Sequence, residues 1–379
     1  MKHRVIAMLV CSCGLTGVLM ERAIFAQTSE SGAVGVVQSA EEMPVAAAGT
    51  KAAQASDPKM FDWHSRTPQR YVQADVLFWD RVGTGGDQVL VSSSGALPGD
   101  DALMSTSDLD FDYQPGLRLT VGWLPDPCRG CRWCSAWELS YFGLFDWDAF
   151  GLFGGRAEAA VTGDNNLAIP GVLGVISNNF YGADEIRAVY DSELHNLELN
   201  CVKSCCFDGC TQIDFLCGFR FLTLQEDFAL VGTDLQAGRS PYEISTENYL
   251  YGLQAGGRLR RNWTRWALEV RGKAAVFVND AQQRQRVDDY PVPLRDLAGD
   301  FVGGDGQSAA MLAEIGVTLI RPITAVWSLR IGYDALGLGG VALAPDQLDF
   351  TFGPDSGTGL HTDGWLLLHG AHVGLEACW

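Results

Sequence analysis

The residues best equipped for chemistry in this 379-residue chain are its cysteines, 11 in all. Seven lie in two clusters, "CRGCRWC" (Cys128, Cys131, Cys134) and "CVKSCCFDGC" (Cys201, Cys205, Cys206, Cys210). An oxidising compartment would turn such clusters into disulfides. Cys131-x-x-Cys134 with two thiols of the other cluster would equally make a four-thiolate zinc site. Histidine offers less. His195 sits in "SELHNLELN"; His361 and Asp363 lie near Ser356; His369 and His372 fall on opposite faces of a strand, a poor arrangement for one metal. The glycine runs "GLFGGR" and "GLGG" follow no strand–helix pattern, so they cradle no phosphate. "GDDALMSTSDLDFD" lacks the spacing of a calcium loop. No catalytic set, cofactor or metal is assigned.

The compartment is read from the first residues. Lys2, His3 and Arg4 precede the apolar run "VIAMLVCSCGLTGVLM", and "ERAIFA" follows. This is the pattern of a secretory signal peptide over 1–26, cleaved between Ala26 and Gln27. A buried N-terminal helix, or a lipid anchor through Cys13, are the alternatives. No later stretch approaches the length of a membrane-spanning helix, so a membrane protein built from this chain would have to be a closed barrel. The formal net charge is −19 and becomes −21 without the segment 1–26 and its net +2. Nucleic acid is excluded as a partner, because phosphate binding needs basic surface.

Residues 27–60 are rich in Ala, Ser, Gly and Glu, have no aromatic between Gln27 and Met60, and read as a disordered periplasmic linker. From 61 to 379 the period becomes two. Ten stretches read as strands: 71–81, 114–124, 135–145, 184–202, 211–224, 246–260, 265–279, 308–321, 323–334 and 363–379. The connections alternate long and short: 82–113, 125–134, 146–183, 203–210, 225–245, 261–264, 280–307, Pro322, 335–362. Outer-membrane barrels have that alternation, with short turns in the periplasm and long loops outside. The expected fold is all-β: a closed antiparallel transmembrane β-barrel of about ten strands, twelve if a loop hides a hairpin.

On such a barrel the apolar face meets lipid and the polar face lines the lumen. Parity assigns Asp75, Arg118, Glu138, Glu198, Asp214, Arg220, Arg258, Glu269, Arg271, Lys273, Glu314, Arg330 and Glu376 to the lumen, with Asn196, Asn200 and Gln254. The charges nearly balance, which predicts mutual pairing in a narrow interior. Trp79, Trp123, Trp137, Tyr141, Tyr249, Tyr251, Trp266, Trp327, Tyr333 and Trp365 are expected in interfacial girdles. Both cysteine clusters would lie on the periplasmic rim. The closing run places Val373, Leu375, Ala377 and Trp379 on one face and ends in an aromatic. It resembles the C-terminal signal by which barrel-assembly machinery recognises its clients.

Several stretches resemble the planctomycete outer-membrane β-barrel family known as beta-barrel porin family seven. They are "ADVLFWDR", "GLRLTVGW", "WELSYFGLFDW", "SELHNLELN", "CGFRFLTLQEDF", "TENYLYGLQAG" and "LRIGYDALGLGGVAL", in order from 71 to 343. The resemblance implies an exported outer-membrane barrel and no established substrate; it says nothing of the cysteines. The expectation is an integral outer-membrane protein in contact with lipid, either structural or a narrow porin-like channel for small hydrophilic solutes, and not an enzyme. The alternatives are a secreted soluble β-sandwich that binds a partner, or a barrel hydrolase.

Overall fold

The chain divides into two units, 1–56 and 57–379. The computed structural model describes residues 70–83, 86–93, 102–123, 133–154, 167–176, 179–206, 210–234, 238–287, 301–351, 353 and 355–379, all within the second unit. The expected signal peptide, its cleavage point at Ala26–Gln27 and the linker lie outside them.

Ten strands close into one antiparallel barrel. In chain order they are β1 (Arg70–Val82), β4 (Gln114–Trp123), β5 (Trp133–Gly154), β8 (Glu185–Cys206), β9 (Thr211–Asp234), β10 (Gly238–Asn262), β11 (Ala267–Val287), β12 (Val302–Pro322), β13 (Trp327–Val341) and β14 (Gly364–Cys378). Each pairs with its neighbour in sequence order among these ten, and β14 pairs with β1. Arg70 and Trp379 exchange two backbone hydrogen bonds of 3.0 Å, so the last residue completes the ring. A closed ring leaves no sheet edge, which is the condition for crossing lipid with strands. Four short strands, β2 (Val89–Ser93), β3 (Ala102–Ser105), β6 (Leu167–Ala168) and β7 (Tyr181–Ala183), form a separate sheet, and α1 (Gly171–Ile176) is the one described α-helix.

All ten expected strands are present, but several ends differ. β9 continues to Asp234 and β10 begins at Gly238, so 225–245 is a tall hairpin and not a long loop. β5, β11 and β12 extend in the same way, whereas β8 gains at its other end, running on to Cys206. β13 starts at Trp327, which leaves 323–326 as the turn after Pro322.

The extensions were hidden because the polarity of the wall inverts partway along. In the lower part of β9, Phe215 and Phe219 face out, and Asp214 and Arg220 are buried inside. From Leu222 upward the interior residues are Leu222, Leu224, Phe228 and Leu230, and Gln225 and Asp227 are exposed. β8 and β10 repeat the switch, with Ile186, Ala188, Tyr190, Tyr242 and Ile244 buried. Below, the solvent outside is hydrocarbon and the interior is polar. Above, the solvent is water and the interior is an apolar core. That core also takes Leu90, Val91, Met104 and Leu109 from the first loop, Ile169, Leu173 and Phe180 from the third, and Leu343 and Ala344 from the last. It plugs the extracellular mouth.

Candidate functional site

The site is the charged tier of the lumen. All thirteen side chains assigned to the lumen by parity lie inside the barrel in the structure, from Arg220 and Arg330, each 0% exposed, to Arg258 with a side chain 16% exposed. The strand ladder positions them. Antiparallel registers set Asp75 opposite Arg118, Glu198 opposite Arg220, and Asp214 opposite Arg258. Cross-strand neighbours on one face are close enough for opposite charges to meet.

Three linked groups and a smaller fourth one result. In the first, Arg118 holds Asp75 at 3.0 Å and Asp334 at 2.8 Å, and Arg271 holds the other Asp334 oxygen at 2.9 Å. His372 Nδ1 lies 2.9 Å from Asp334, and its Nε2 lies 3.2 Å from the Thr318 hydroxyl. In the second, Arg330 reaches Glu376 at 2.8 Å and Asp75 and Glu269 at 3.5 Å each, while Arg260 and Gln73 also bind Glu376. In the third, Arg220 meets Glu314 at 3.1 Å and Glu198 at 3.6 Å, and Lys273 meets Glu198 at 2.8 Å. Asn196, Asn200 and Gln254 each donate to Glu198, which fills its lone pairs. Toward the periplasmic mouth, Arg258 bridges Asp214 (2.7 Å) and Glu138 (3.2 Å), and Tyr71 donates to Glu138.

Asp334, His372 and Arg260 were missed, although each shares parity with an assigned neighbour: Asp334 follows Arg330 by four, Arg260 follows Arg258 by two and His372 precedes Glu376 by four. With them the tier has eight carboxylates and seven cations beside His372. A balance this close is what a filled interior demands, since an unpaired buried charge costs several kcal/mol, on the order of 3–5. The cavity bordered by Arg118, Glu138, Glu198, Arg258, Lys273 and Glu314 has a volume of about 20 Å³. That is room for about one water molecule. A larger dent of about 510 Å³ lies along β9–β12, where Gly257 and Gly272 pair in register. Outward-facing Phe215, Leu259 and Ile315 border it, together with Asp214, Arg258, Arg271, Lys273 and Glu314 of the charged tier.

A second buried pair sits above the charged tier. Arg81 meets Glu226 at 2.7 Å with both side chains fully buried. Arg81 also donates to Tyr190 and Ser192, and Glu226 accepts from Tyr190 and from the Ala344 amide. It ties three wall strands to the last loop.

Trp123, Trp137, Tyr251, Trp266, Trp327, Tyr333 and Trp365 are exposed on the outer wall, and Tyr141 and Tyr249 are half-buried there. Trp79 is a correction: it is 0% exposed and points inward. It shares parity with Asp75, so its position on the strand, not its aromatic character, sets its direction. In the closing strand Val373, Leu375 and Trp379 are exposed, and Ala377 is buried.

The second cysteine cluster lies mostly on a strand and not in a turn. β8 runs to Cys206, so Cys201, Cys205 and Cys206 belong to a strand, and Cys210 alone of that cluster is in the turn. Cys201 stands opposite Cys217 and Trp137, and Cys205 opposite Trp133 and Ile213. Strand alternation separates neighbours to opposite faces, and no disulfide joins the described cysteines. Cys128 and Cys131 lie outside the described residues, as do the side chains of Cys134 and Cys206. Cys378 donates to Glu376 at 3.4 Å. Among the described residues no group of three His, Cys, Asp or Glu is placed to hold a metal. His361 and Ser356 serve the last loop: the His361 amide donates to Gln347, and the Ser356 hydroxyl, 8% exposed in its residue, meets Thr351.

An apolar exterior, a polar interior and a closed antiparallel ring define an outer-membrane β-barrel, and the soluble sandwich is set aside. Solved structures with a similar outline include the outer-membrane protease OmpT of Escherichia coli (7% identity, TM-score 0.43, 84% of this chain and 100% of that one). Others are the CymD monoaromatic hydrocarbon channel (8%, 0.33, 83% and 89%) and the toluene transporter TodX of Pseudomonas putida (11%, 0.33, 86% and 93%). Among curated proteins no sequence match is found. The model of the family described as "Putative beta barrel porin-7 (BBP7)" matches residues 71–290, more than half of the chain, and the chain belongs to that family.

Proposed function

We propose that this outer-membrane barrel is a porin-type protein whose resting lumen is shut. Water, ions and small hydrophilic solutes cross when the charged tier loosens, and no catalytic role is assigned. The observation that carries this reading is the lumen filling: eight carboxylates and seven cations interlocked around a cavity of about 20 Å³. A general diffusion channel needs an aqueous lumen, which wide barrels of about 16–18 strands have and small ones lack. Ten strands fall near the filled end. The C-terminal face of Val373, Leu375 and Trp379 supports recognition by barrel-assembly machinery, with outer-membrane lipid as the surrounding partner.

Liposome swelling tests the reading. Vesicles carrying the native protein should swell slowly in small sugars, and an Arg220→Met variant, which breaks the third ion group, should swell them faster. Fast swelling by the native protein would contradict a shut lumen. Equal silence from both would support a structural scaffold instead.

A further inference from the structure

We propose that the last extracellular loop is a removable strap, a gate in series with the charged tier. The proposal rests on the reading of that tier as shut. Residues 341–345 are buried in the barrel mouth, with Val341, Ala342, Leu343 and Ala344 each 0% exposed. The strap is held by inward-facing wall side chains that bind its backbone. Asn248 accepts from the Ala342 amide and donates to its carbonyl, both at 2.8 Å. Asn279 donates to Gly340 and Glu226 accepts from Ala344. Higher up, the Asp349 amide donates to the Tyr242 hydroxyl, and Gln283 donates to the carbonyls of Gly357 and Gly359 at 2.8 and 2.7 Å.

This is an unusual way to fill an apolar mouth. A permanent plug could use apolar contact throughout. Here six polar wall residues, each almost fully buried, bind the strap backbone, Gln285 adding bonds to the Gln347 and Gly357 carbonyls, and their groups would meet water if the strap left. The wall behind it is incompletely satisfied. Thr246, on β10 between Asn248 and Tyr242, is 0% exposed, and its hydroxyl oxygen has no hydrogen-bond partner. Two tethers join the strap to other loops: the Gly86 amide donates to Asp346 at 2.5 Å, and the Leu173 amide donates to the Phe350 carbonyl at 3.1 Å. Side-chain clamps on one backbone segment can release together without disturbing the barrel ladder.

Cysteine reporters separate the two gates. Thr246→Cys reports behind the strap, and Ser140→Cys, at a residue 4% exposed in the charged tier, reports below it. The full chain in nanodiscs is treated with a small charged methanethiosulfonate, and labelling is read by peptide mapping. Both positions should react slowly. Adding Asn248→Ala should speed position 246 by about tenfold or more, because it orphans two buried backbone groups, and leave position 140 unchanged. Gln283→Ala is the second variant, and heat-modifiable gel migration shows that each is folded. If position 246 is not accelerated in either folded variant, the strap is no gate, while a protected position 140 leaves the shut tier standing. If both positions react at the rate of a free thiol without any strap substitution, the shut lumen fails and the strap proposal fails with it.

Discussion

Replacing Arg220 with methionine would remove one positive charge from a site that water cannot reach. Arg220 is 0% exposed and lies 3.1 Å from Glu314 and 3.6 Å from Glu198. Its Nε also donates to Asn196 at 2.5 Å. The local set is two carboxylates with Arg220 and Lys273, and Arg271 approaches Glu314 at 3.5 Å. Without Arg220, Glu198 keeps Lys273 at 2.8 Å, and Glu314 keeps only the longer contacts to Arg271 at 3.5 Å and Lys273 at 3.8 Å. Breaking a buried pair costs about 3–5 kcal/mol, and the methionine recovers little, since its apolar surface faces carboxylates. Removing the under-compensated charge as well, in Arg220→Met with Glu314→Gln, should return about 2 kcal/mol, a coupling that contacting residues commonly show. Urea unfolding in lipid vesicles, followed by tryptophan fluorescence, measures both variants. A loss below about 1 kcal/mol for the single variant would refute the reasoning, because that is the worth of a solvated pair and would mean a water-filled lumen.

Two further outcomes follow from the ends of the chain and the strap. Deleting Trp379 removes two backbone bonds to Arg70 and an exposed aromatic from the closing strand, and should lower outer-membrane levels more than it lowers the unfolding midpoint of assembled protein. Normal outer-membrane levels would contradict this. Burial pushes the Asp346 carboxyl up from its ordinary value, and nearby Glu226 and Asp363 push the same way, against the Gly86 amide and His361. A raised folded value means that the packed loop binds the proton more tightly than the open one. Its contribution is full below the ordinary value of about 4 and is lost as pH rises through the raised one. Hydrogen exchange at the Gly86 and 341–351 amides, corrected for intrinsic rate, should therefore show better protection in acid, and Asp346→Asn should abolish the difference. An unchanged pH dependence in that variant would assign the effect elsewhere.

The membrane part of the barrel was readable because lipid imposes one rule on every strand. Phe215, Phe219 and Tyr251 had to face out, so Asp214, Arg220 and Gln254 had to face in. The same rule misleads above the membrane. Gln225, Asp227 and Glu243 look like loop because they are polar, yet they are the water-facing half of strands whose inner half is apolar. Trp79 shows that position on the strand outranks residue type. A register shift between Leu144 and Trp147 in β5 left no mark in the alternation that could be separated from noise. The strap was invisible for a different reason. Asn248, Asn279 and Gln283 bind backbone groups of the last loop, and backbone recognition leaves no complementary pattern in the loop sequence.

Single-channel recording in a planar bilayer tests the central claim most directly. The native barrel should give a quiet baseline with rare, brief, small openings, and Arg220→Met should make such openings frequent. Large, stable, long-lived steps from the native protein would contradict a lumen closed by its own charges.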